Sequence, residues 1–143
     1  MEDQVLKLLK HPVGTFNWNE SPSSEEIRKA IKSLERFPEE LKKSLAGVTR
    51  EKLKNRYRPQ GWTIAQVVHH LADSHMHSYL RFKHAILEDI PSIKDYKEAD
   101  WAMLEDASHV DISYSIDLLT ALHKRWTFFL NSCSEAQLSR TYF

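Results

Sequence analysis

A single long helix is the feature that most limits the folds open to this sequence. Gly61 interrupts the chain just before it, and Thr63 with Gln66 forms a Thr-x-x-Gln capping box that starts a helix by satisfying unpaired amide donors. The next strong breaker is Pro91, because the residue before a proline avoids helical backbone angles. The stretch between them therefore predicts one helix of about 25 residues, roughly 40 Å long.

This helix divides into an apolar face and a histidine-rich face. At 100° per residue, the predicted core stripe comprises Ile64, Val67, Val68, Leu71, His75, Ser78, Phe82 and Ile86. A polar stripe on its flank comprises His70, Ser74, His77, Arg81 and His84. His69 and Asp73 fall mostly on the opposite side, where we expect His69 to be solvated. The concentration of histidines in this one helix is the least ordinary property of the sequence.

Two more long helices are predicted, one on either side of the first. The earlier one begins at a Ser23 and Glu26 capping box, and Pro38 within it predicts a kink or a break into two helices. The later one is capped by Asp111 or Ser113, and its stripe comprises Ile116, Leu119, Leu122, His123, Trp126 and Leu130. A further capping box, Ser134 with Gln137, predicts a short final helix.

The remaining segments give weaker signals. Residues 1–20 are expected to be extended or irregular, with Phe16 and Trp18 packing on the bundle surface. Residues 92–110 predict a short helical piece lying across the bundle, anchored by Trp101. With only three glycines and almost no alternating apolar pattern, the chain is predicted to be all-α.

Composition narrows the class of protein. A length of 143 residues supports one domain, and the formal net charge of zero gives no electrostatic footprint for nucleic acid. No apolar run reaches the ~18 residues of a membrane span. Cys133 is the only cysteine, which excludes an intramolecular disulfide and a cysteine-based zinc site. We therefore expect a soluble cytoplasmic protein with no nucleic-acid or membrane partner.

The long helix and its surroundings resemble the YfiT-like branch of the DinB-like superfamily of metal-dependent hydrolases. The matching segments are 12–16, 58–64, 66–76, 78–79, 81–83 and 122–126. The most specific of them is the run from Gly61-Trp62-Thr63 to Asp73-Ser74-His75-Met76, and the resemblance covers essentially the whole chain. It implies an all-α, DinB-like four-helix bundle of the up-down-down-up type, with three main helices in this chain.

The resemblance also implies a divalent metal, typically nickel or zinc, held by three histidines. One ligand of the family lies eight residues after the tryptophan that opens the second helix, and here that residue is His70. The other two form an H-x-x-x-H pair on the fourth helix, and no such pair follows His77 in this sequence. We therefore expect residues 1–143 to be a single bundle domain that is incomplete at its C-terminus, with the other two ligands beyond Phe143.

Other polar residues are weighed beside His70. His75 and His123 fall within core stripes, so they are expected to be hydrogen-bonded core histidines with a possible role in orienting a metal ligand or water. Asp73 is a candidate for the same role, although it points away from His70 on the helix. No catalytic base can be assigned.

Three functions remain open at this stage. The first is hydrolysis of a small molecule, in which a histidine-bound metal activates water. The second is a metal-dependent thiol transfer, found in the same superfamily, in which the metal activates a low-molecular-weight thiol. The third is a non-catalytic, dimerising helical bundle. A homodimer is expected in any of them, because bundles of this kind often bury a helix face symmetrically.

Overall fold

The structure is a computed structural model that describes residues 2–17 and 19–143. Its helices are α1 (Glu2–Lys10), α2 (Ser24–Leu45), α3 (Arg50–Leu53), α4 (Ile64–Leu87), α5 (Glu98–Trp101), α6 (Glu105–Ser108), α7 (Ser113–Ser132) and α8 (Glu135–Leu138). In this part of the chain the only β-type pairing is an isolated bridge between Arg56 and Thr63. The all-α prediction is confirmed. Within the same residues, no helix combines the length and apolar character that a membrane crossing requires.

Helix α7 lies between the other two long helices and packs against both α2 and α4. His75 contacts His123 and Tyr79 contacts Phe129, so positions on α4 and α7 advance together and these two helices run parallel. Helix α2 runs the opposite way, because Leu34 contacts His123 while Ser24, at its start, bonds Glu135 beyond the end of α7. The order is therefore up, down, down, as the resemblance implies for the first three helices.

The parallel α4 and α7 pair requires a long connection between them, and residues 88–112 supply it. This connection contains α5 and α6 and crosses the first half of α4, as the sequence predicts for residues 92–110. The side-chain amide of Gln66 donates to the carbonyl of Ala102 at 2.7 Å. Three alanines at this contact, Ala72, Ala102 and Ala107, are all buried. Small side chains on both segments let the two backbones lie close together.

The predicted capping boxes set the helix starts. The Thr63 hydroxyl accepts from the amide of Gln66 at 3.1 Å, and the Gln66 side chain accepts from the amide of Thr63 at 2.9 Å. Ser23 with Glu26 and Ser134 with Gln137 form the same reciprocal pairs at α2 and α8. At α7, Ile112 occupies the capping position without a side-chain bond, while the Asp111 carboxylate accepts from the amide and hydroxyl of Ser113.

We predict that Thr63→Ala lowers the free energy of unfolding by about 1 kcal/mol, the usual value of a side-chain cap. The substitution leaves the Gln66 amide without its partner at the start of the longest helix. Chemical denaturation monitored by circular dichroism measures the change. Thr63→Ser keeps the hydroxyl and serves as the control, so an equal loss in both variants would contradict a capping role.

One prediction about the first half of the chain is wrong, and one of the two alternatives given for Pro38 is excluded. Residues 2–10 form α1 rather than an irregular lead, because Val5, Leu6 and Leu9 recur at helical spacing among strong helix formers. Helix α2 continues past Pro38 without a break, and the alternative of a kink there stays a prediction. Phe16 lines a groove between α2 and α4 while remaining largely exposed, and Trp18 lies outside the described residues.

The buried face of α4 is rotated from the predicted stripe. The buried residues are Ala65, Gln66, Val68, His69, Ala72 and Ala85. Phe82, predicted to lie in the core, is 37% exposed, and His69, predicted to be solvated, is 6% exposed. The stripe was only partly right. Helix α7 does meet it at His75 and Phe82, whereas the connection covers the adjacent face of α4 at His69.

Candidate functional site

His70 lies near the start of α4, between Trp62 and the connection to α7. Its ring is tilted against the Trp62 ring, with centroids 4.8 Å apart. The Tyr96 hydroxyl is 3.5 Å from its Nδ1, a long contact. Among the described residues nothing bonds its Nε2, and the side chain is half-buried. His70 is therefore held on one side by aromatic groups and keeps one ring nitrogen without a protein partner in this part of the chain.

A groove of about 870 Å³, here called the crossover groove, continues from Tyr96 along α4. Its lining includes His77, Arg81 and His84 of α4 and Tyr96, Asp100 and Trp101 of the connection. Tyr96 stacks on His77 with ring centroids 4.1 Å apart and planes within 3°. Trp101 meets both rings edge-on. Burial raises the pKa of Tyr96, so its hydroxyl stays protonated near neutral pH.

His75 and His123 form a hydrogen-bonded pair between α4 and α7. Nδ1 of His75 and Nε2 of His123 are 2.7 Å apart, and Nδ1 of His123 is 2.6 Å from the carbonyl oxygen of Leu34. A carbonyl can only accept, so Nδ1 of His123 carries the proton and its Nε2 accepts. His75 therefore donates from Nδ1, which leaves a lone pair on its own Nε2.

Pro38 explains why the Leu34 carbonyl is available to His123. In a regular helix this oxygen would accept the backbone amide of residue 38, but proline has no amide proton. His123 of α7 supplies the missing donor from a neighbouring helix. Pro38, which was predicted to kink or break α2, thus creates the acceptor that fixes the tautomer of the histidine pair.

Both histidines of this pair are held neutral. Burial, followed by the neighbouring His123, lowers the pKa of His75 to about 4. Burial also lowers the pKa of His123, partly offset by its bond to Leu34. Phe37 stacks on His123 at 5.1 Å and covers His75 at 4.9 Å, which accounts for much of the desolvation. The expectation that both are hydrogen-bonded core histidines is confirmed, and their role in orienting a ligand stays a prediction.

Asp73 faces a different groove from the one beside Tyr96. It lines a space of about 440 Å³ with His69, Asp106 and Tyr114. Burial, with the Asp106 carboxylate nearby, raises the pKa of Asp73. His69 bonds the His109 carbonyl at 2.9 Å and the Ser115 hydroxyl at 2.7 Å, so it joins α4 to the start of α7. The suggested role of Asp73 beside His70 stays a prediction.

The residues around His70 do not by themselves fit the three-histidine metal site that the resemblance implies. Within the described residues, no group of three or more histidine, cysteine, aspartate or glutamate side chains is placed to hold a metal ion. His75 and His123 use their facing nitrogens on each other, and His77 stacks on Tyr96. The described residues therefore do not complete a three-ligand site that includes His70.

Three elements of this region were missed by sequence reasoning. Tyr96 carried no signal, because it lies in an irregular segment. Leu34 was missed because it acts through its backbone carbonyl rather than its side chain. Trp101 was identified as an anchor, but its partners were not. The proline four residues after Leu34 was a usable signal for this carbonyl, because a proline leaves the carbonyl four residues before it without its helical donor.

The chain is similar to proteins of known family. A model of the DinB superfamily matches residues 33–143. "Putative metal-dependent hydrolase YfiT" of Bacillus subtilis is 43% identical over 135 residues, which cover 94% of this chain and 76% of that protein. A protein of the same description from Bacillus mycoides is 42% identical, covering 96% of this chain and 79% of the relative.

A solved structure agrees with these sequence relatives. YfiT from Bacillus subtilis, described as having an unusual four-helix bundle topology, superimposes with a TM-score of 0.92 at 43% identity. The match covers 95% of this chain and 78% of that one. It confirms the predicted four-helix-bundle fold, to which α2, α4 and α7 contribute the long helices described above. The chain belongs to the DinB superfamily.

Proposed function

We propose that this protein is a metal-dependent hydrolase of a small molecule, acting in the cytoplasm, with His70 as one ligand of a nickel or zinc ion. The proposal is carried by the similarity to relatives described as metal-dependent hydrolases over more than nine-tenths of the chain. The geometry of His70 supports it, because the ring is fixed by Trp62 and Tyr96 while Nε2 has no partner among the described residues. A neutral imidazole with a free nitrogen is a common metal ligand.

The remaining metal ligands come from outside the side chains around His70, because the described residues contain no group of three ligating side chains placed to hold a metal ion. A second copy of the chain is one source that the proposal includes, consistent with the predicted homodimer. The contribution of the described residues is to hold His70 in one orientation and to border it with the crossover groove. Tyr96 belongs to both, because its hydroxyl contacts His70 and its ring stacks on His77.

We predict that the purified, untagged protein binds about one nickel or zinc ion per chain and that His70→Ala abolishes this binding. Mass spectrometry with an inductively coupled plasma source measures the metal content. His84→Ala is the matched control, because His84 is a half-exposed histidine on the same helix. Metal that persists in His70→Ala would contradict the assignment of His70. Absence of metal from the wild-type chain would contradict the proposal that residues 1–143, alone or as a dimer, complete a metal site.

The reaction class is tested separately with metal-loaded protein. Release of acid from a panel of esters and amides, lost in His70→Ala, is the result expected of a hydrolase. If a low-molecular-weight thiol is instead consumed in a reaction with an electrophile, and no hydrolysis occurs, the assigned reaction becomes thiol transfer. Light scattering at the same protein concentration determines whether the active species is the expected homodimer.

A further inference from the structure

The side chain of Arg81 is poorly paired for its burial. Its side chain is 26% exposed and lies on the α4 side of the crossover groove. Among the described residues its one hydrogen-bond partner is Asp95, at 3.2 Å from a terminal nitrogen. Its Nε is enclosed without a partner in the same part of the chain. Since a guanidinium has five donors and buried charges are normally paired, most of its binding capacity is unused.

Asp95 is a weak and replaceable partner for this guanidinium. Its side chain is 96% exposed, on the irregular segment after Pro91, and the contact is a single bond rather than a bidentate pair. Exposed ion pairs contribute little, because both groups are well solvated when separated. An incoming anion that accepts two parallel bonds would therefore displace Asp95 at small cost.

The rest of the groove fits a planar group. Tyr96 and His77 present stacked rings, and Trp101 stands edge-on beside them. Arg81 lies four residues after His77, one turn further along the same face of α4. The fully charged residues of the lining balance, with Arg81, Lys94 and Lys97 opposed by Glu88, Asp95 and Asp100. With Asp95 displaced, the lining carries one net positive charge, which matches a singly charged anion better than a doubly charged one.

We propose that the crossover groove binds a small organic carboxylate with a planar, aromatic body, and that Arg81 holds its carboxylate in the place that Asp95 now occupies. Arg81 follows His70 by eleven residues, about 16 Å along the same face of α4. The further claim that this molecule is a substrate rests on the proposed function. In that case the acidic group lies at the end of the substrate remote from the bond that reacts near His70.

The test uses binding alone, with the 143-residue chain treated with a chelator so that no metal is needed. Isothermal titration calorimetry compares naphthoate with neutral naphthamide, which share the same ring system. We expect naphthoate to bind at least about tenfold more tightly, as a charge-assisted bidentate pair predicts. Arg81→Gln removes this preference while leaving naphthamide binding intact, and Arg81→Lys keeps part of it.

Asp95→Asn provides an independent variant that removes the competing carboxylate without touching the guanidinium. We expect it to increase the affinity for naphthoate severalfold and to leave naphthamide unchanged. Arg36→Gln, an exposed arginine of α2 outside the groove, is the matched control and should change neither affinity. Naphthyl phosphate should bind more weakly than naphthoate because of its second charge.

Equal binding of naphthoate and naphthamide, or a preference that survives Arg81→Gln, would overturn the inference. Tighter binding of naphthyl phosphate would overturn the choice of a carboxylate. Because no metal or turnover enters these measurements, they can fail while the metal content of the wild-type chain supports a metal-dependent enzyme. They can equally succeed when His70 binds no metal, in which case the groove is a carboxylate site without the proposed hydrolysis.

Discussion

Replacing Trp126 by alanine is expected to lower the free energy of unfolding by about 4 kcal/mol, the largest stability effect in this chain. Trp126 is 3% exposed and forms a buried cluster with Ile31 of α2 and Leu130 of α7. Its indole also contacts Phe82 of α4 at 5.6 Å between ring centroids. One side chain thus joins all three long helices, so its removal leaves a cavity where they meet.

Urea denaturation followed by circular dichroism measures this loss, with two variants for comparison. Trp126→Phe keeps an aromatic ring and removes an indole N–H that is buried without a partner among the described residues, so its cost should stay within about 1.5 kcal/mol. Phe128→Ala removes an aromatic group that is 79% exposed on the same helix, and should change stability by less than about 0.5 kcal/mol. Similar losses in all three variants would contradict a central role for Trp126.

The second large effect is a loss of stability in mild acid that originates in the histidine pair. The pKa of His75 is about 4 in the folded protein, whereas the ordinary value of 6.5 applies to the unfolded chain. Between these values the unfolded state binds more protons, so stability is complete above pH 6.5 and falls as the pH drops toward 4. We expect His75 to account for a loss of about 2 kcal/mol over this range, allowing for its partial exposure.

Denaturation at a series of pH values measures this slope. His75→Asn is the informative variant, because its amide can donate to Nε2 of His123 in place of Nδ1 but does not titrate in this range. The slope between pH 6.5 and 4 should decrease in His75→Asn. His84→Gln removes an exposed histidine from the same helix and should keep the wild-type slope. An unchanged slope in His75→Asn would show that other groups cause the acid sensitivity.

Local signals predicted the helices well. The boxes at Ser23, Thr63 and Ser134 start α2, α4 and α8 because each depends on residues three apart, which sequence shows directly. The resemblance supplied what local signals could not, namely the direction of α7 relative to α4 and the choice of His70 among the histidines of α4. His70 as a metal ligand remains a prediction.

Long-range contacts account for what was missed. His69 is buried because the His109 carbonyl and the Ser115 hydroxyl, at least 40 residues away in sequence, fill both of its ring nitrogens. The crossover groove exists because residues 92–104 fold back along α4, and no periodic pattern marks that path. The buried alanines of α4, which are Ala65, Ala72 and Ala85, were also missed, because their small side chains give a weak signal on a helical wheel.

The proline within α2 links this helix to α7 in a way that limits which substitutions the sequence can accept during evolution. Pro38 withholds a donor in α2, and His123 of α7 supplies it from outside through the Leu34 carbonyl. A substitution at position 38 that restores the backbone amide would compete with His123 for that oxygen, and a substitution at 123 would remove the donor that now satisfies it. Positions 38 and 123 are therefore constrained as a pair: each residue sets which replacements the other can tolerate.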